Sequence, residues 1–472
     1  MSGIGSSSLT RFLSGSFLAS GFTLVSCLGV FADESALSAG VSTAPGSASA
    51  LSVPDAAVPG AAIRESAVPA ALSAAGPAPS HGIPIVGWMF YPSMFAGVAF
   101  NDNVYQTQAA TVSAWGVRLT PNLEADLDEG IHKATIYGLL DAQLYPRQNA
   151  ALGQDASTVQ ARAGFSYLWS PTADLVTNLS VNYTRMSGPF GSTLITTSPI
   201  NSATSFVGAV SALNVSGFRQ FANQTTGTVS VQKTVTDALF VRVGGSVQDL
   251  VYERPPIGYT GGLSGVDGSG FLRLGTPVTP QVNAFVEGGG DFRRYYSTSF
   301  YDTNAFRVIG GLSSDLIGLF RGEVYGGVQR QFSVRGTFAP LTAPAAGGRL
   351  TYYPTEYFTI AASSDLSFGA AGGFGAASAI SAQNETLQTR LQADYALYQY
   401  WRASVRAGYA QSWYYGSSAT ASTWLAGTGM SYFFWTNWAL TGDYQYSRVL
   451  ANAIGSSSYV DNLVSIGVTY RY

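Results

Sequence analysis

The feature that most limits what this chain can fold into is an apolar/polar alternation with a period of two. It is sustained over ten or more positions and repeated along the sequence. In 115–127, Trp115, Val117, Leu119, Pro121, Leu123, Ala125 and Leu127 alternate with Gly116, Arg118, Thr120, Asn122, Glu124 and Asp126. In 159–169, Val159, Ala161, Ala163, Phe165, Tyr167 and Trp169 alternate with Gln160, Arg162, Gly164 and Ser166. In 387–397, Leu387, Thr389, Leu391, Ala393, Tyr395 and Leu397 alternate with Gln388, Arg390, Gln392 and Asp394. Such runs outlast the roughly five or six residues of a soluble strand and match a tilted strand that crosses a bilayer. From residue 93 on, no stretch approaches the ~18 continuous apolar residues of a spanning helix.

Composition supports an alternating, lipid-facing sheet. Charged residues are only 11% of the 472, while Gly (54), Tyr (27) and Phe (26) are abundant, and mean hydropathy is only +0.15. That is the profile expected of an outer-membrane barrel, apolar outside and polar inside. A net charge of −3 argues against nucleic-acid binding. Two His (His81, His132) and one Cys (Cys27) leave no material for a Cys/His zinc site or a disulfide framework. No metal or cofactor is expected.

The first 32 residues read as a secretory signal peptide: Arg11 is their only charge, an apolar stretch follows, and Val30-Phe31-Ala32 precedes Asp33-Glu34. Leu24-Val25-Ser26-Cys27 also resembles a lipoprotein box, which leaves lipidation of Cys27 open. Residues 33–92 are expected to be a disordered periplasmic linker, rich in Ala, Pro and Ser without period as far as 83, and 93–472 the barrel.

Short connections with Thr, Pro, Asp or Asn fall near 128–130, 170–174, 234–238, 276–280, 315–318, 353–356, 398–400 and 434–437. Most are spaced by about 40 residues, one hairpin plus one longer loop. Aromatic residues crowd beside them, as an interfacial girdle requires. Longer Gly/Ser/Asn/Ala-rich stretches such as 188–216 and 369–385 alternate with the short turns. The count predicts an all-β, antiparallel up-and-down transmembrane barrel of 18 strands, or 16 if one turn is misread. An even count places both termini in the periplasm. The last strand alternates Val464, Ile466, Val468, Tyr470 and Tyr472 with Ser465, Gly467, Thr469 and Arg471. Val468, Tyr470 and the terminal Tyr472 look like the signal by which barrel-assembly machinery recognises such chains.

Gly97-Val98-Ala99-Phe100-Asn101-Asp102-Asn103-Val104-Tyr105-Gln106-Thr107 resembles the opening of outer-membrane β-barrel porins of the β-barrel porin 2 type. Val117-Arg118-Leu119-Thr120-Pro121-Asn122-Leu123 and the following Tyr137–Tyr145 strand are similar to the same group, so that the resemblance covers about 93–472. It implies a porin-like barrel. Some members are associated with exopolysaccharide secretion, and many have no assigned substrate.

The alternation sends a set of charges inward. Pore-lining candidates are Arg118, Glu124, Asp126, Arg162, Arg242, Glu287, Asp291, Arg293, Arg321, Glu323, Arg390, Asp394, Arg402 and Arg406. Lys133, Asp141, Arg273, Arg307, Asp315, Arg349, Asp365, Asp443 and Arg471 belong to the same face. These charges cannot sit in lipid, so a polar lumen follows. They either set a field that selects solutes or pair across the wall to hold its shape. The expected function is non-enzymatic passage of small polar solutes or an exported polysaccharide, with outer-membrane lipid as the surrounding partner. Two other readings stand beside it. One is a structural or adhesive barrel plugged by 188–216 or 369–385. The other is a membrane hydrolase, which would depend on His132 and which the histidine count disfavours. Gly244-Gly245 and Gly288-Gly289-Gly290 lack the Lys-Ser/Thr of a phosphate loop.

Overall fold

A computed structural model describes residues 82–472, apart from 106–107, 109–110, 147, 150–153, 190–218, 253–263, 297–298, 301, 356, 369–382, 398–399, 416–419 and 452–457. The signal segment with Cys27, the linker with His81, and nearly all of the two long loops lie outside the described residues. Within them the chain is a closed antiparallel barrel of 18 strands without helices. The strands are β1 (Trp88–Asn101), β2 (Ala114–Asp128), β3 (His132–Leu144), β4 (Thr158–Thr172), β5 (Leu175–Pro189), β6 (Arg219–Thr236), β7 (Leu239–Tyr252), β8 (Gly265–Thr279) and β9 (Val282–Tyr295). They continue as β10 (Thr303–Ile317), β11 (Phe320–Ser333), β12 (Leu341–Thr355), β13 (Phe358–Phe368), β14 (Asn384–Leu397), β15 (Trp401–Tyr414), β16 (Thr420–Trp435), β17 (Trp438–Ala451) and β18 (Tyr459–Arg471). A three-residue strand, Ile83–Ile85, folds back on Trp88–Phe90.

The first strand starts at Trp88, ahead of residue 93 where the sequence reading opens the barrel. Pro92 and the apolar run Trp88-Met89-Phe90-Tyr91 hide the alternation there. Proline has no N–H to give to the ladder, yet the Pro92 carbonyl accepts the Tyr472 amide (3.1 Å).

Each strand pairs with its neighbour in sequence, and β18 closes on β1 from Ser93 opposite Arg471 to Asn101 opposite Leu463. Closure is obligatory in lipid, where an unpaired backbone edge costs several kcal/mol per group. The seam is tight at its middle. Gly97 faces Gly467, and a Cβ on either would collide with the opposite backbone, at Ile466 O and Ala96 O respectively. Small residues are required at this crossing.

The two rims differ. At one rim, strands connect through two or three residues, as between Asp128 and His132 or Trp435 and Trp438. A recurring device closes these turns: Asp128 Oδ1 accepts the Gly130 amide (3.0 Å), and Thr236, Thr279 and Thr355 hydroxyls accept the amides of Ala238, Gln281 and Tyr357 (3.3, 3.4 and 3.3 Å). Asp and Thr side chains that bond the backbone two residues on fold short turns. Gly130 supplies the positive φ (75°) its turn needs.

The outer face carries the apolar half of the alternation. Val98, Val243, Val308, Val405 and Ile466 are exposed to what surrounds the barrel. Aromatic pairs ring the short-turn rim: Phe320–Tyr352, Phe358–Tyr395, Trp401–Tyr432 and Trp438–Tyr470, with centroids 4.3 to 5.5 Å apart. Phe100–Trp115 and Tyr409–Trp424 lie toward the other rim. Two aromatic belts flanking an aliphatic band are the outer surface of a membrane-spanning barrel. At the long-loop rim, Tyr296 donates to Asp249 (2.6 Å) and Tyr415 to Glu385 (2.7 Å). The Asp249 bond pushes the Tyr296 hydroxyl up to about 12, and burial with the Glu385 bond does the same for Tyr415. Both therefore remain donors across the neutral range.

Candidate functional site

The inner face is the candidate site, because it gathers the charge the outer face lacks. Strand register decides which residues meet. Arg273 (β8) stands opposite Glu287 (β9), and Glu323 (β11) reaches back to it across β9 and β10. Arg273 Nε gives Glu287 a 3.0 Å bond, its Nη1 gives Glu323 another of 3.0 Å, and Arg307 Nη2 (β10) reaches Glu287 at 2.9 Å. The Arg273 guanidinium also lies 3.6 Å from the centroid of the Phe285 ring. Glu287 is 0% exposed and Arg273 4%. Two cations and two carboxylates thus form a neutral buttress across four strands. Burial costs several kcal/mol per ion, and pairing of this kind offsets it.

Three further pairs repeat the arrangement. Arg118 Nε and Nη2 hold both oxygens of Asp141 (2.9 and 2.8 Å), Thr120 donates to Asp141 (3.3 Å), and Arg118 Nη1 reaches Ser465 across the seam (3.3 Å). Arg406 Nη2 bonds both oxygens of Asp443 (2.8 and 2.7 Å). Arg293 Nε bonds Asp267 (2.7 Å). Asp267 is missing from the sequence candidates because Gly268 and Gly270 break the apolar side of its alternation. Lys133 meets Asp128 at the short-turn rim (3.0 Å).

The remaining candidates share the inward register without joining these pairs. Glu124, buried, stands beside Asp126, which accepts from Thr135 (2.8 Å). Arg242 lies 5.9 Å from the Phe271 ring centroid, Asp394 accepts from Gln392 (2.8 Å), and Asp365 accepts the Tyr325 hydroxyl. Asp291 faces Ser269, Arg321 faces Thr351, and Arg349 faces Glu323. Asp315 carries a side chain outside the described residues. Arg162 (β4) faces Leu139 and Thr184 in register, and Arg390 (β14) faces Ser363 and Gly408.

The motif at 97–107 does more than open the barrel. Asp102 exchanges bonds with Asn462: its Oδ1 accepts the Asn462 amide (2.7 Å) and its Oδ2 the Asn462 side-chain amide (2.6 Å). Asn103 Nδ2 donates to Val460 O (2.8 Å), and its own amide donates to Asn101 Oδ1 (2.7 Å). These bonds continue the β1–β18 seam beyond the last paired residues. Val104 and Tyr105 then pack into a buried cluster with Ala114, Tyr145 and Ala156 at the long-loop mouth.

At the last strand, Val468, Tyr470 and Tyr472 all face outward, with Tyr470 against Trp438. His132 also lies near the short-turn rim, where its Nδ1 meets the Tyr167 hydroxyl at 2.6 Å.

A closed barrel with an apolar, aromatic-belted outside and a charged inside is a transmembrane protein of the porin-like class, in the outer membrane of a Gram-negative envelope. The chain belongs to the family described as "putative beta-barrel porin 2", which it matches over residues 77–472. No curated protein matches it in sequence. Among solved structures it is similar to the anion-selective porin of Comamonas acidovorans (12% identity, 82% of this chain and 99% of that chain, TM-score 0.30). It is also similar to Pseudomonas aeruginosa OccK9 (OpdG) (12%, 81% and 98%, 0.39) and to the FrpB iron transporter of Neisseria meningitidis (8%, 86% and 83%, 0.40).

Proposed function

We propose that the barrel is a water-filled channel that passes small polar or ionic solutes, or an exported polysaccharide chain, without chemistry of its own. The observation that carries this reading is the charged inner face, which runs from Arg118 and Asp141 through Arg273 and Glu287 to Arg406 and Asp443 behind an apolar outer face. Charges that line a lumen set the field a passing ion meets. In planar bilayers the folded protein is expected to give steady conductance steps, and Arg390→Glu to move the reversal potential toward cation preference. Unchanged selectivity would remove Arg390 from the pathway. Silence from correctly folded protein would favour a plugged barrel, the reading that the buried Val104–Tyr105 cluster at the mouth supports.

In this proposal the short turns and both termini face the periplasm, and the outward Val468, Tyr470 and Tyr472 are the handle for barrel-assembly machinery. Tyr472→Asp is expected to lower outer-membrane levels more than a change at Ser465, since Ser465 faces inward beneath Arg118. Refolding of both variants into micelles separates assembly from intrinsic stability. Equal cellular levels would count against the handle.

A further inference from the structure

At the short-turn end of the lumen, two arginines approach one aromatic ring. Arg402 is near the start of β15 and Arg471 ends β18. Between them on the inner wall lies the buried ring of Phe433, and each guanidinium carbon is 5.3 Å from its centroid. The two cations share one aromatic ring and repel one another. Arg406, deeper in the wall on the same strand as Arg402, has Asp443 in a two-oxygen grip. Nothing comparable serves Arg471: its Nε and Nη2 are buried and meet no acceptor among the described residues. A row of hydroxyls completes the surroundings. Ser431, opposite Arg402, lies 3.4 Å from Thr441, which lies 3.0 Å from Thr469.

Buried donors without acceptors are unfavourable, and an oxyanion beside Arg471 supplies the acceptor that its Nε and Nη2 lack. A guanidinium fork matches the two oxygens of a carboxylate or phosphate. We propose that Arg402 and Arg471, set about Phe433 and beside the Ser431–Thr441–Thr469 hydroxyls, form an oxyanion-binding station for the carboxylate or phosphate group of a solute. The station rests on the channel reading only for the route by which the solute arrives; binding itself needs no conduction.

The test is a calorimetric titration of the detergent-folded full chain with inorganic phosphate at constant ionic strength. Saturable binding is expected, weakened about tenfold or more in Arg402→Gln and in Arg471→Gln, because each removes charge-assisted bonds. Arg335→Gln, an exposed site elsewhere, should bind as the parent does. Arg471 lies in the strand that completes the barrel, so Arg402→Gln decides the matter if Arg471→Gln does not fold. Absence of saturable binding, equal affinity in Arg402→Gln and the parent, or an equal response to chloride would overturn the station. Conductance measured on the same preparations keeps the two ideas apart. A silent barrel that binds phosphate defeats the channel alone, and a conducting barrel that binds none defeats the station alone.

Discussion

Glu287→Ala is expected to destabilise the folded barrel by about 3–5 kcal/mol, the range for breaking a buried ion pair from one side. Glu287 is fully buried and accepts from both Arg273 and Arg307. Its removal takes from Arg273 the acceptor at 3.0 Å, leaving the Glu323 bond in place, and takes from Arg307 the acceptor at 2.9 Å. Glu287→Gln keeps the shape and one acceptor, so its cost should be smaller. Heat-modifiable gel migration or urea unfolding in micelles measures both. Raising the salt concentration should change the difference little, because buried pairs are poorly screened. Stability within about 1 kcal/mol of the parent would mean that the web is ornamental and that water already reaches these charges.

Ile466→Arg should cost about 2–4 kcal/mol, the range for a cation on the lipid face of a barrel near the bilayer midplane. Ile466 lies near the middle of β18, 53% exposed, on the face opposite Ser465 and Gly467. Its neighbour in sequence would respond differently: Ser465 faces the interior, where a polar group is already in use. The same substitution near either aromatic belt should cost about 0–1 kcal/mol. Refolding equilibria into vesicles, compared for Ile466→Arg and for an arginine at the rim position Tyr432, read out the depth dependence. Equal costs at the two depths would place the lipid band elsewhere than the structure's belts imply.

Local rules read from the sequence locate the strands well. Turns such as 170–174 and 434–437 announce themselves through Pro, Thr and Asn between aromatic residues, and the alternation of 115–127 assigns Arg118 and Trp115 to opposite faces. Contacts across strands are another matter. Alternation says that Arg402 and Arg406 both face inward and so groups them, but only register separates them, giving Asp443 to Arg406 and the Phe433 ring to Arg402. The Arg273–Glu323 bond, across two intervening strands, has no local signature at all. Glycine blurs the rest: with Gly268 and Gly270 on the other face, the alternation around Asp267 fades, although Asp267 accepts from Arg293 at 2.7 Å. The motif at 97–107 is visible as a pattern, whereas its partners Val460 and Asn462 emerge only when the ring closes.

That latch has a temporal meaning. Asp102 and Asn462 are separated by 360 positions, and Asn103 and Val460 by 357. Hairpins between neighbouring strands can form as soon as their residues are present, whereas the latch must await nearly the last segment of the chain, after the largest loop-closure entropy has been met. The opening residues of the barrel therefore act as a receipt for its completion. A chain cut short before Val460 retains a curved sheet with two open edges and no contact that marks it as finished.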